Sequence, residues 1–145
     1  MSEGSAPKLY SPTLLALSVS LADYPLDDTF DAYGEALSRT CGSSIKLGLK
    51  MDAGRFSKVG MQVSACAVGQ SSAALLAQGL ESASKDDVLR THDEIALWLN
   101  GSGILPEWPG FAALAPALPY PGRHDAILLP WRAAIEALSS IPPNG

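Results

Sequence analysis

Two cysteines are the residues of this chain best suited to chemistry, and both lie at the boundaries of predicted elements. Cys41 precedes a stretch that has the alternating pattern of a β-strand, and Cys66 lies between a second such stretch and a helix. A thiolate can bind a metal ion, attack a persulfide or exchange with a disulfide. The positive end of a helix dipole favours negative charge at Cys66. The alternative is that each cysteine is simply a small buried hydrophobic residue.

A predicted β-hairpin brings these two cysteines together. Apolar side chains occupy every second position in residues 43–51 and again in 56–64, which is the pattern of half-buried strands. The turn at 52–54 contains a glycine that can adopt a positive φ. We predict a third antiparallel strand at 36–40. Because one hairpin strand leaves Cys41 and the other returns to Cys66, both cysteines are expected at the same end of the sheet.

Helices are predicted both before and after the strands in the sequence. The first spans 12–22, with Ser11 as its cap, and its apolar residues are so dense that we expect most of its surface to be covered. Pro130 should either start the last helix near Leu128 or kink it. The later helices are predicted at 67–80, 84–100, 111–115 and 123–138. One helix, three strands and then helices predict an α+β fold, with a three-stranded antiparallel sheet and helices packed on one face.

Composition and charge narrow the classes of protein that fit this sequence. The 145 residues suit one domain, 1–145, with flexible ends at 1–8 and 140–145. A net charge of −5 and scattered basic residues argue against nucleic-acid binding. No apolar run reaches the roughly 20 residues that span a membrane, and the start of the chain does not resemble a signal peptide. We therefore expect a cytoplasmic protein whose cysteines are thiols or metal ligands.

The segments around the two cysteines resemble those of the NifU/IscU-type iron–sulfur cluster assembly scaffolds: Cys41-Gly42-Ser43 before the hairpin and Ala65-Cys66-Ala67-Val68-Gly69 after it. In that family a Cys-Gly-Asp segment precedes the hairpin, and a Gly-Cys-Ala-Ile-type turn opens a helix rich in serine and alanine. Residues 9–12 resemble the opening of the family's first helix, and 123–131 resemble the segment that holds its third cysteine. The resemblance covers about residues 9–138.

The resemblance implies a scaffold rather than an enzyme. Sulfur from a cysteine desulfurase and iron would meet on three cysteines and an aspartate, and the cluster would pass to receiving proteins; zinc often occupies the same ligands. This chain departs from the pattern at two positions, with Ser43 in place of the aspartate and Ala126 in place of the third cysteine. Cys41 and Cys66 remain, so any site for an iron–sulfur cluster or zinc is incomplete.

Three interpretations stay open. In the first, a scaffold-like protein holds iron, zinc or a labile cluster through Cys41 and Cys66, with a third ligand from Asp125, a partner chain or a small thiol; two subunits could also share a cluster. In the second, a metal-free protein accepts persulfide sulfur or regulates a desulfurase that it docks. In the third, both cysteines are inert and the fold serves protein–protein contact. His124 and Asp125 have a plainer interpretation as an exposed helix cap.

Enzymatic activity has no support in the sequence. No glycine-rich phosphate loop follows a strand, and the serines lack the local signature of a Ser-His-Asp site.

Overall fold

The architecture is a three-stranded sheet packed against helices. The computed structural model describes residues 11–39 and 42–141, so the predicted flexible end at 1–8, and all but the first two residues of that at 140–145, lie outside the described residues. The predicted α+β class, with an antiparallel sheet and helices, is confirmed. The main elements in chain order are α1 (Pro12–Ser20), β1 (Ala32–Leu37), β2 (Ser44–Asp52), β3 (Arg55–Ser64), α2 (Ala67–Gly79), α3 (Lys85–Leu99) and α4 (His124–Ser139).

The sheet has the strand order β1-β2-β3, and each neighbouring pair is antiparallel. The predicted hairpin is confirmed: Ala53 and Gly54 take φ values of 53° and 80° in its turn. Every second residue of β2 faces the helices, and Leu47 and Leu49 are fully buried. The register pairs Ser44 with Ser64. The end of the hairpin opposite the turn therefore carries the connections to β1 and to α2.

The first strand lies at Ala32–Leu37, so its predicted position at 36–40 is wrong. Its inward-facing residues are small. At Gly34 the backbone of α4 lies so close that there is no room for a side chain. A Cβ atom on Gly34 would overlap the carbonyl oxygen of Ala133 and would lie 2.7 Å from the backbone nitrogen of Ala137. Small residues give a weak alternating signal, which hid this strand in the sequence.

Helix α1 is less covered than predicted. Ser11 caps it as expected, accepting a hydrogen bond from the Leu14 amide. Leu14 is the helix's buried residue, whereas Val19 is 75% exposed. The apolar residues of α1 are spread around its circumference, and within the described residues α2 and the 3-10 helix at Phe111–Ala117 pack against the helix without covering Val19.

Helix α4 is continuous through Pro130, so the predicted start near Leu128 is wrong. The proline removes the amide that would bond the Ala126 carbonyl. Burial of the helix against β1, β2 and α2 offsets that loss. The next carbonyl, that of Ile127, accepts a hydrogen bond of 2.7 Å from the Ser72 hydroxyl, which also accepts one from the buried Trp131 indole.

In the part of the chain that the structure describes, no helix has the length and apolar character that crossing a membrane requires.

Candidate functional site

The candidate site lies at the end of the sheet away from the hairpin turn. The pairing of Ser44 with Ser64 places the β1–β2 connection beside the junction of β3 and α2. Cys41 lies outside the described residues, and Ser43, two positions later, is placed at this end. Cys66 follows β3 directly and forms the N-cap of α2, with an extended backbone. The elements that flank the two cysteines therefore meet as the sequence predicts.

Cys66 is a half-buried free thiol. Its side chain makes no capping hydrogen bond to the helix that it precedes. The turn around it is held instead by Gln70, whose side-chain amide donates to the Ala65 carbonyl at 3.0 Å and whose backbone amide donates to the Cys66 carbonyl at 2.9 Å. The backbone of this turn is thus fixed at the start of a 13-residue helix, whereas the Cys66 side chain makes no cap and packs, partly buried, against the edge of the hydrophobic core.

Ala126 packs against the turn that carries Cys66. A Cβ atom built on Gly69, in the first turn of α2, would lie 3.3 Å from the Ala126 Cβ and 2.9 Å from the Ala65 Cβ. Ala126 itself is completely buried. A residue at the start of α4 is therefore close to the Cys66 turn, but its methyl group supplies no atom that could bind a metal.

Ser43 offers little as a substitute for a carboxylate. Only 5% of it is exposed, and its carbonyl accepts a 2.8 Å hydrogen bond from the Ser38 amide, which closes the β1–β2 connection. A neutral, buried hydroxyl does not provide the anionic oxygen with which an aspartate binds a metal.

Asp125 is engaged by protein groups. Arg132 donates a hydrogen bond of 2.7 Å to its carboxylate, whose side chain is 22% exposed. Partial burial raises the pKa of the Asp125 carboxyl, but hydrogen bonds from Ser38 and Arg132 and the positive charge of Arg132 outweigh burial and leave that pKa below its usual value. The spacing of seven residues, which places both side chains on one face of α4, is the sequence signal that could have revealed this pair. Ligation of a metal by Asp125 stays a prediction, and it requires this ion pair to rearrange.

His124 is also held by the fold. Its Nε2 atom donates to the Leu118 carbonyl at 2.7 Å, and the ring is partly buried. Neither His124 nor Asp125 is the N-cap of α4, because Arg123 occupies that position and no side chain caps the helix. The interpretation of the two residues as an exposed cap is therefore wrong.

Solved structures with this architecture include a NifU-like protein and a protein described as a scaffold of iron–sulfur cluster assembly. An N-terminal NifU-like protein from Brucella abortus superposes with a TM-score of 0.81 and 27% sequence identity, over 90% of this chain and 92% of that one. A protein described as an iron–sulfur cluster assembly scaffold of the SUF system, from Fervidobacterium islandicum AW-1, gives a TM-score of 0.80 at 20% identity, over 90% and 96%. The chain has the NifU/IscU-type fold. No protein-family model and no curated protein matches its sequence.

The described residues of this NifU/IscU-type chain do not fit a complete cluster or zinc site. Cys66 is the one thiol that the structure describes, and no three residues of His, Cys, Asp or Glu within 11–39 and 42–141 are grouped to hold a metal. Iron–sulfur clusters are usually held by cysteine thiolates, and structural zinc takes four ligands. Even with Cys41 added, the protein would need donors from elsewhere.

A groove borders this site, and no local sequence pattern indicates it. It has a volume of about 720 Å³ and opens between the end of α3 and the start of α4. Asp125 lines it, so it adjoins the turn of α4 that contacts α2. Its other lining residues come from β1, the loop after it, α3, the residues just before α4 and α4 itself, and only folding brings them together. They include Leu37, Arg39, Leu99, Asn100, Leu128 and Arg132.

Proposed function

We propose that this chain is a scaffold-type protein of iron–sulfur cluster assembly that takes up sulfur at Cys66. The fold is shared with a NifU-like protein and with a protein described as an iron–sulfur cluster assembly scaffold. The finer proposal rests on the lack of metal ligands. The resemblance expects a ligand at three of the described positions; Cys66 is a ligand-type residue, whereas Ser43 and Ala126 are not. Accepting sulfur requires one accessible thiol, whereas holding a cluster requires several.

The uptake step is a thiol–persulfide exchange with a partner protein. The Cys66 sulfur, deprotonated, attacks the outer sulfur of a persulfide on a cysteine desulfurase. A new bond forms between the Cys66 sulfur and that outer sulfur, and the sulfur–sulfur bond of the partner breaks. The partner's cysteine leaves as a thiolate and takes up the proton that Cys66 lost. No net oxidation or reduction occurs, so the step needs no further reactant.

We further propose that residues 1–145 act as one domain that docks the desulfurase and then delivers sulfur to cluster-receiving proteins. The end of the sheet is suited to this exchange because Cys66 is half-buried there and the hydrogen bonds of Gln70 fix its turn. The chain itself would catalyse no turnover; it would carry sulfur between proteins.

Binding of iron, zinc or a labile cluster through Cys41 and Cys66 is the second candidate function. The observation that favours it is the position of Asp125, a carboxylate in the first turn of α4, directly before the alanine that packs beside the Cys66 turn. For Asp125 to serve as a ligand, its bond to Arg132 would have to open. Metal that depends on both cysteines and on Asp125 in the purified protein would favour this candidate.

Replacing Cys66 is expected to abolish sulfur uptake. We expect Cys66→Ala to reduce persulfide formation on the full chain to background after exposure to a desulfurase and free cysteine, because the nucleophile is gone. Cys41→Ala is the matched control and should still gain sulfur at Cys66. Intact-mass measurement under anaerobic conditions, followed by peptide mapping, locates each added sulfur atom. Uptake that persists in Cys66→Ala and maps to Cys41 would contradict the proposal.

A further inference from the structure

The groove beside α4 is lined by two arginine side chains and by apolar side chains. Leu37, Leu99 and Leu128 contribute apolar surface, and Arg39 and Arg132 contribute positive charge. Its volume of about 720 Å³ lies in the usual range of sites for small molecules, roughly 300–1,000 Å³. Two arginines and one carboxylate, that of Asp125, leave the lining with a net positive charge, in contrast to the net charge of −5 of the whole chain. The groove is therefore suited to a small anion that also has apolar parts.

Arg39 is the group in this groove with spare binding capacity. Its side chain is exposed, and it makes no hydrogen bond or ion pair with another residue in the parts of the chain that the structure describes. Arg132 is bonded to Asp125, and this pair leaves some of its donors free, because a guanidinium has five N–H groups. A guanidinium of this kind recognises carboxylates, often through two parallel hydrogen bonds. We infer that a carboxylate of the ligand binds Arg39, with Arg132 as a second contact.

The groove and the Cys66 turn lie on two sides of the first turn of α4. Asp125 lines the groove, whereas the next residue, Ala126, packs against Gly69 at the start of α2. An α-helix with its side chains is about 10 Å across, and an extended tripeptide spans roughly 10 Å. Arg39 also lies in the β1–β2 connection, at the end of the sheet that carries Cys66, so a tripeptide-sized ligand held by Arg39 can extend along this connection towards Cys66 and need not pass through the helix.

From these features we propose that the groove binds a low-molecular-weight thiol bearing carboxylates, which receives sulfur from Cys66. The binding site rests on the groove, and the transfer step rests on the proposed function. In that step the thiolate of the bound molecule attacks the outer sulfur of the Cys66 persulfide. A sulfur–sulfur bond forms on the small thiol, that of Cys66 breaks, and Cys66 leaves as a thiolate. The proton of the small thiol goes to Cys66, and no net redox change occurs.

The first test measures binding without any sulfur chemistry. We would titrate the ¹⁵N-labelled full chain with S-methylglutathione, which has the carboxylates of glutathione but no free thiol. Saturable shifts at the amides of Leu128 and Arg132 are expected. Arg39→Gln should weaken the affinity roughly tenfold, the size expected for one lost charge-assisted hydrogen-bonding group. Arg55→Gln, at the turn end of the hairpin, is the matched control and should leave the affinity unchanged.

The second test measures the transfer itself. With wild-type protein persulfidated at Cys66, the single-turnover rate should saturate as the glutathione concentration rises. With Arg39→Gln the rate at low glutathione should fall roughly tenfold, in line with the lost affinity, whereas 2-mercaptoethanol, which has no carboxylate, should react equally with both proteins. Absence of saturable shifts, or equal affinity in Arg39→Gln, would overturn the thiol site. Failure of Cys66 to take up sulfur while S-methylglutathione still binds through Arg39 would overturn the proposed function and leave the binding site standing.

Discussion

Restoring two ligands, by Ser43→Asp together with Ala126→Cys, is expected to turn this chain into a tight zinc binder. The variant would present Cys41, Cys66 and the two new side chains, which is the four-ligand set of a structural zinc site. Because apparent binding free energies of such sites reach about 10–16 kcal/mol, we expect zinc affinity to rise at least roughly a thousandfold over the native chain. Competition with a chromophoric zinc chelator measures the difference.

The controls for this variant separate ligation from a change in packing. Each single substitution should give only part of the gain, and Cys66→Ser in the double-variant background should lose most of it. Ala126 is buried against the start of α2, so the unfolding temperature of the zinc-free variant should be measured alongside. A folded double variant whose zinc affinity equals that of the native chain would show that these positions do not face a common site.

Gly34→Ala is expected to lower the free energy of unfolding by roughly 3 kcal/mol or more, at the upper end of overpacking penalties. A methyl group there would overlap the Ala133 carbonyl and approach the Ala137 amide at 2.7 Å. Both contacts are backbone atoms of α4, so no side-chain rotation can relieve them, and the helix itself would have to move away from β1. Urea unfolding followed by circular dichroism measures the change.

Gly122→Ala is the matched control for this effect. A Cβ atom at Gly122 would meet nothing within 4 Å, and its φ is not in the left-handed region. That substitution should leave stability within about 1 kcal/mol of the native value, with stabilisation the favoured sign because alanine restricts the unfolded chain. Equal stability of the Gly34→Ala and Gly122→Ala variants would contradict the close packing of β1 against α4.

The elements with a strong local pattern could be predicted from the sequence, and those shaped by packing could not. The hairpin follows from strict alternation, and the start of α3 follows from Ser84, which forms a capping box with Asp87. Strand β1 was predicted at the wrong residues because Ala32 and Gly34, which lie close to α4, are too small to give a clear alternating pattern. The exposure of Val19 could not be foreseen, because the sequence shows how many apolar residues a helix has and not how many neighbours it will gain.

The candidate site was predictable only in part for a similar reason. The hairpin topology is enough to place Cys66 at the end of the sheet that adjoins the β1–β2 connection, and the resemblance pointed to Ser43 and Ala126. The groove that contains Arg39 is assembled from residues distant in sequence, and no local pattern indicates it. The pairing of Asp125 with Arg132 depends on the helix continuing through Pro130, which local proline propensity argues against.

The most direct test of the central claim is a joint measurement of metal and sulfur on the native chain. The protein would be purified without oxygen, exposed to a desulfurase with free cysteine, and assayed for iron, zinc and sulfur bound to Cys66, beside Cys66→Ala, Cys41→Ala and Asp125→Ala. We predict folded protein with far less than stoichiometric metal and with sulfur on Cys66 in all but the Cys66→Ala variant. Near-stoichiometric iron or zinc, lost in all three variants and accompanied by no persulfide, would contradict sulfur uptake and identify a metal-binding scaffold instead.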